Sequence, residues 1–481
     1  MSEGSIEPMK LRNLLFDEVA IGAQASIRRV CTESDLYVFA NVSGNLNPVN
    51  LPDLEARFDT DGRPETGAAA PAMWLASLIA NVIGTRLPGP GALYRAQTLL
   101  FRDRAWVGDE LQITVTVVDK REPRLLLLDT RIERVGAAGL QSIAEGQAEV
   151  FAPQRRIEIE DAQLPEVLVR RHEQFDRLLA ACAGLPPLPT AVVCPDDRTA
   201  LEGALLARDA GLIDPILVGR EAAIRATAAG LGRDLAGLTV IDAAGDEQAA
   251  SRAVTLAHEG RARAIMKGHL HTDTLLSAIV RRDAGLRTGR RVSHVYVMDL
   301  PGKADLLFIS DAAINIAPDL SAKVDIVQNA IDLARACGLA EPRVGVLSAV
   351  ETVTPAIPST IDAAVLSKMA ERGQIRGGLV DGPLAMDNAV DLRAAHTKGI
   401  ASLVAGRAQV LISPNLESGN MLAKELTFLA HAEAAGLVLG AQVPVMLTSR
   451  ADDARSRLVS CALALLHDWW RTHGVSRLQD A

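Results

Sequence analysis

Between Glu110 and Phe151 the pattern is strand-like: Leu111-Gln-Ile-Thr-Val-Thr-Val-Val118 alternates apolar and polar, followed by Arg124-Leu-Leu-Leu-Leu-Asp-Thr-Arg131 and a run ending Ala148-Glu-Val-Phe151. A period of two predicts strands of an antiparallel sheet. Upstream, Leu75, Leu78, Ile79 and Val82 fall on one helical stripe that stops at Gly84, which predicts a single apolar helix lying on that sheet. Beyond Pro189 the pattern changes to short apolar runs separated by alanine-rich helical segments, the sign of a parallel, doubly wound α/β sheet. The runs are Thr190 to Cys194, Ile216 to Val218, Ala264 to Met266, His294 to Met298, Leu306 to Ile309, Val344 to Leu347, Gly378 to Val380, Val410 to Ile412 and Pro444 to Thr448. Nine strands exceed what one lobe needs, so two lobes about a cleft are expected. The predicted division is 1–155, a polar linker at 156–175, and 176–481, with one lobe at about 176–302 and 442–475 and the other at about 303–441.

Composition sharpens this picture. A chain of 481 residues that is 48% hydrophobic has material for about three cored units. Lys and Arg number 50 against 59 Asp and Glu, and the net charge of −9 argues against nucleic acid or an anionic membrane as partner. An anionic ligand must therefore be held by local donors. Five cysteines with no C-x-x-C pair point to reduced thiols rather than disulfides or zinc. No apolar run is long enough to span a bilayer, and the first residues lack the order of a signal peptide, so a soluble cytoplasmic protein is expected. All nine histidines lie at or beyond His172.

In doubly wound sheets ligands bind past the carboxyl ends of strands, so those loops are where chemistry is sought. Lys267-Gly268-His269-Leu270-His271 follows one predicted strand, Ser310-Asp311 to Asn315 another, and Asp381 begins the loop after a third. Ser418-Gly419-Asn420 precedes a helical stretch from Met421, where it serves either as an ordinary cap or as a phosphate cradle at the helix start. Ser449-Arg450 with Asp452 and Asp453 combines a hydroxyl donor, a planar cation and a carboxylate base, or else caps a helix. His269 and His271 flank Leu270 and would point apart, which disfavours a metal pair, and no metal site is expected. Cys194 ends a strand but has no nearby histidine to activate it. Neither a dinucleotide nor a Walker fingerprint is present.

These loops resemble the phosphate acetyltransferase and phosphate butyryltransferase family. The matching stretches are Met266-Lys-Gly268, Gly285-Leu-Arg-Thr-Gly289, Ser293-His-Val295, Ser310 to Pro318, Lys368 to Gln374, Val380-Asp-Gly-Pro-Leu-Ala385, Asn415-Leu-Glu-Ser-Gly-Asn420 and Val445-Met-Leu-Thr-Ser-Arg450, in order over roughly residues 170 to 470. The resemblance implies two α/β lobes around a coenzyme A cleft, similar to isocitrate dehydrogenase. It also implies transfer of a short acyl group between coenzyme A and inorganic phosphate without a cofactor. It assigns phosphate or oxyanion binding to Arg450, a hydrogen bond to Ser449, and the base to Asp452 or Asp453. Substrate contacts are expected from Lys267, Gly268, His271, Asp311, Asn315, Asp381, Ser418, Gly419 and Asn420. Many relatives carry an arginine near the position of Ser277, so Arg281 or Arg282 is the candidate replacement.

Residues 9 to 155 resemble a MaoC-like hot-dog domain, the α+β fold of the (R)-specific enoyl-CoA hydratases, through Asp35 to Pro48, Leu87-Pro-Gly-Pro-Gly91 and Val107-Gly-Asp109. Where that family places its catalytic aspartate and histidine stand Asn45 and Asn50, and Pro71-Ala72 replaces its His-Gly. A carboxamide cannot carry a proton near neutral pH, so this site is expected to be inactive and the domain to serve oligomerisation or acyl-CoA docking. Homo-oligomers using both hot-dog and acyltransferase surfaces are expected. The alternatives are a bifunctional enzyme that retains hydratase activity, a non-enzymatic acyl-CoA-binding scaffold, and a metal-dependent decarboxylating dehydrogenase.

Overall fold

The computed structural model describes residues 9–52, 67–136, 139–162, 173–447 and 454–478, and divides into two compact units, Met1–Val169 and Arg170–Ala481. Ser449, Arg450, Asp452 and Asp453 lie outside the described residues.

The first unit holds β1 (Met9–Arg12), β2 (Gln24–Val30), β3 (Leu93–Phe101), β4 (Glu110–Arg121), β5 (Leu125–Gly136), β6 (Gly139–Phe151) and β7 (Glu158–Ala162). Five of them form one antiparallel sheet in the order β2-β4-β5-β6-β3, and β1 pairs with β7 apart from it. The helix Ala72–Thr85 buries Trp74, Leu75, Leu78, Ile79, Val82 and Ile83, one residue beyond the predicted stop at Gly84. Its apolar stripe meets the inward residues Leu111, Ile113, Val115, Leu126, Leu128 and Ile132 of β4 and β5. The three predicted runs are thus the three inner strands. β2 and β3 escaped the pattern because each is an edge strand with mostly exposed side chains, which leaves no alternation to detect. Within the expected linker, Glu158–Ala162 is a strand of this unit, while 163–172 lie outside the described residues.

The second unit is built on one eleven-stranded sheet, in the order β10-β9-β8-β11-β18-β17-β12-β13-β16-β14-β15. Its strands are β8 (Leu188–Val193), β9 (Ile213–Gly219), β10 (Thr239–Asp242), β11 (Ala264–Lys267), β12 (Ser293–Asp299) and β13 (Leu307–Ser310), followed by β14 (Arg343–Leu347), β15 (Leu379–Leu384), β16 (Val410–Ile412), β17 (Glu433–Leu439) and β18 (Val445–Met446). All nine predicted runs are strands, and β10 and β17 are additional.

The expectation of an all-parallel sheet needs correction. β17 pairs antiparallel with both β18 and β12, and β12 pairs antiparallel with β13. Consequently β13, β16, β14 and β15 run opposite to β8, β9, β10, β11 and β18. Helices cover the sheet, and the helix Ala454–His473 is buried from Val459 to Asp468, which makes it part of the core. Among the described residues no helix is long and apolar enough to cross a membrane.

Candidate active site

Because β8, β11 and β18 are parallel neighbours, their carboxyl ends lie side by side. Cys194-Pro195-Asp196 leaves β8, Lys267 to His271 leaves β11, and Leu447 leaves β18 on the way to Ser449 and Arg450. Lys267 and Gly268 thus lie at the strand end beside Met446, the last residue of β18.

The loop after β11 is held tightly against the exit of β8. Gly268 N donates to Val193 O at 2.8 Å and His269 N to Cys194 O at 2.7 Å. A Cβ on Gly268 would stand 2.5 Å from Cys194 O and closer still to Val193 O, so only glycine permits this approach. Lys267 Nζ donates to Gly268 O at 3.4 Å. His271 is exposed just ahead of the helix Thr272–Val280, and Ser277 is an exposed residue on that helix. Sequence reasoning missed a further arrangement: His269 Nδ1 lies 3.3 Å from Asp196 Oδ1, and the Arg220 Nε donates to the same carboxylate at 3.1 Å. Its only signal was Asp196 three residues past a strand end, which is common in ordinary loops.

The Cys194 thiol is no nucleophile. Burial, then the carboxylates of Asp246 and Asp196, pushes it up to about 12, so it is protonated at neutral pH.

The remaining expected contacts lie at the other end of the strands, because β13, β16 and β15 run the opposite way. Asp311 is buried and accepts from the backbone N–H groups of His294, Ala313, Ile314 and Asn315 at 3.0–3.3 Å, and from Asn315 Nδ2. Asn315 in turn donates to Val292 O and accepts from Arg291 Nε at 2.9 Å. Both side chains are used in shaping the loop after β13. Asp381 sits inside β15, where it accepts from Gly382 N at 2.8 Å. Burial pushes the neighbouring His294 down to about 4, against the opposing pull of Asp311, so that ring is neutral.

The helix start expected at Met421, after Ser418-Gly419-Asn420, needs correction. The helix spans Leu416–Phe428, and Asn415 caps it by accepting from Ser418 N at 2.9 Å. Leu416 N donates to Ile316 O and Gly419 N to Asn415 O, so these first amides are engaged within the protein. A Cβ on Gly419 would meet Ser413 Oγ at 2.5 Å, and Asn420 Nδ2 donates to Ala312 O at 3.1 Å. These residues press the helix onto the Asp311 loop. The signal was in the chain, since Asn is among the residues preferred at a helix start.

In the first unit Asn45 Nδ2 donates to Asn50 Oδ1 at 3.3 Å, and Asn50 Nδ2 to Ala69 O at 2.8 Å. Ala72 opens the following helix behind Pro71, without a side-chain cap. The two carboxamides satisfy one another and the backbone, and neither can exchange a proton near neutral pH.

Residues 247–465 match the family model described as phosphate acetyl/butaryl transferase. A phosphate acetyltransferase of Rhizobium meliloti is 60% identical over 294 residues, covering 61% of this chain and 93% of that protein. A phosphate butyryltransferase of Clostridium beijerinckii is 40% identical over 294 residues, covering 61% and 97%. Among solved structures, a branched-chain phosphotransacylase from Enterococcus faecalis superposes with a TM-score of 0.50 at 27% identity, covering 58% of this chain and 99% of that one.

Proposed function

The chain belongs to the phosphate acetyl/butyryl transferase family and is a phosphate acyltransferase, and from that premise we propose how its residues carry the reaction. Similarity at 60% identity over 93% of a phosphate acetyltransferase carries this reading. A hydrogenphosphate oxygen attacks the thioester carbonyl carbon of a short acyl-CoA, a tetrahedral oxyanion forms, and the carbon–sulfur bond breaks. The proton that began on phosphate ends on the coenzyme A sulfur, so acyl phosphate and free thiol are the products and no cofactor is required. Two anions must be brought together in a negatively charged protein, so orientation and donors aimed at the oxyanion are what the site has to supply.

Arg450 holds the phosphate or the developing oxyanion through its planar fork, and Ser449 donates a hydrogen bond. Asp452 or Asp453 takes the thiol proton in the reverse direction. Lys267, at the neighbouring strand end, supplies a second cation, while Gly268 and His271 shape the same loop. The cleft lies between two lobes, one on either side of the sheet's reversal at β17 and β12. The test is to mix the protein with phosphate and a panel of acetyl-, propionyl- and butyryl-CoA and to quantify thiol and acyl phosphate. Phosphate-dependent release of both supports the reading, and their absence with every acyl group rejects it.

The first unit is a MaoC-like hot-dog module that holds oligomers together or docks acyl-CoA without hydrating it. The mutual hydrogen bond of Asn45 and Asn50 favours this. Hydration of crotonyl-CoA by the purified protein would contradict it.

A further inference from the structure

The helix Leu416–Phe428 uses only one of its faces within the chain. Gly419 and Ala423 are buried, and Leu422 and Leu426 pack with Met298, Ile309 and Ala432. A period of 3.6 residues places Met421, Lys424, Glu425 and Phe428 together on the opposite face, at spacings of three, four and seven. All four are exposed, Met421 by 64% and Phe428 by 71%. Among the described residues neither Lys424 nor Glu425 has an ion-pair partner.

The exposure is concentrated here. Among the described residues of the second unit, the three most exposed large apolar side chains are Ile316, Leu429 and Phe428, at 75%, 74% and 71%. All three lie at the ends of this helix: Leu429 closes it, and Ile316 O accepts from Leu416 N at its start, at 3.1 Å. The outer face is thus apolar toward both ends and carries one positive and one negative side chain at adjacent positions between them. Such a pattern is its own complement when turned end for end, and a two-fold axis is the symmetry by which one patch satisfies itself.

We propose that a second copy of this chain docks on this face, with the two helices antiparallel about an axis between Lys424 and Glu425. In that register Lys424 stands opposite Glu425 of the partner subunit, and Glu425 opposite Lys424 of the partner subunit, so each charge meets its opposite. Met421 meets Phe428 of the partner subunit, and the helix start beside Ile316 meets the end that carries Leu429. A shift of one turn would set Met421 against a lysine and leave both charges unpaired, so the charges fix the register as well as the partner. This contact is independent of any association through the first unit.

Sedimentation of the full chain over about a hundredfold range of concentration tests this. Lys424→Glu, and separately Glu425→Lys, place like charges opposite one another twice per dimer. Each should raise the dissociation constant of one association step at least about tenfold, and Phe428→Ser should do the same. The double variant Lys424→Glu with Glu425→Lys restores opposite charges and should return that constant to within about threefold of the starting protein. Association through the first unit persists in all of these variants, so the step that is lost is the one through this helix. A chain carrying Met421→Cys and Phe428→Cys should form a covalent dimer on mild oxidation, since the two positions are about 10.5 Å apart along one helix and cannot close within it. The five native cysteines are buried and do not compete. An assembly unchanged by both Lys424→Glu and Phe428→Ser, or a double variant no better than its single parents, overturns the proposal. So does a monomer at every concentration, which would leave this face to the chain's own first unit or to a different protein.

Discussion

Replacing Gly268 by alanine adds one carbon where the backbone of β8 leaves no room. The new Cβ would sit 2.5 Å from Cys194 O, about 0.9 Å short of the 3.4 Å at which ordinary contact begins, and the obstacle is backbone. The loop after β11 must therefore move by close to 1 Å and stretch the two hydrogen bonds that bind it to Val193 and Cys194. Overpacking of this kind costs about 1–3 kcal/mol. Displacing a substrate-positioning loop by about 1 Å lowers turnover on the order of a hundredfold. Thiol release from acyl-CoA with and without phosphate measures the second effect, and thermal unfolding measures the first. Gly230→Ala is the control, since a Cβ there meets nothing within 4 Å and the residue is helical, so stability and activity should hold or rise slightly. If Gly268→Ala kept activity within about twofold and an unchanged melting temperature, the view of Gly268 as the residue that sets this loop beside Lys267 would be wrong.

Three further outcomes are expected. Arg450→Ala should lower phosphate-dependent cleavage at least about tenfold, since a charge-assisted hydrogen bond to an anion is worth about 1.5–3 kcal/mol; a loss under about twofold would place the anion site elsewhere. His294 and His467 are held neutral at about 4 and about 3 against an unfolded value of 6.5, so the unfolded chain takes up protons first as pH falls. Stability is then whole above about pH 6.5 and drops below it by about 1.4 kcal/mol per pH unit for each ring, and His467→Phe should halve the slope of denaturant midpoint against pH between 6 and 4.5. Cys194, with its thiol near 12 and 3% exposed, should resist iodoacetamide at pH 7.5, and inactivation traced by mass spectrometry to its alkylation would refute the account of that thiol.

Inner strands were legible in the sequence because burial leaves a pattern. Leu111 to Val118 alternates because one face of β4 meets the helix Ala72–Thr85. β17 was missed because it opens with the small and polar residues Glu433-Ala-Ala-Gly, and only its later residues show a buried run. Strand direction left no trace at all. Nothing in the residues of β12 or β17 says that each pairs antiparallel with its neighbours, yet that reversal sends Lys267 and Asp311 to opposite strand ends. A reading that collects polar loops after strands is blind to that reversal. That Asp311 gathers the backbone N–H groups of its own loop was not legible either: in sequence, a side chain that shapes a loop and one that faces a substrate are the same letter.

The central claim is that this chain moves an acyl group between coenzyme A and phosphate. The most direct measurement incubates the purified chain with butyryl-CoA or acetyl-CoA and isotopically labelled phosphate, and counts free thiol and labelled acyl phosphate together. Equal amounts of the two, both dependent on phosphate, are predicted. Thiol released without phosphate, or without any acyl phosphate across the acyl-CoA panel, would contradict the claim.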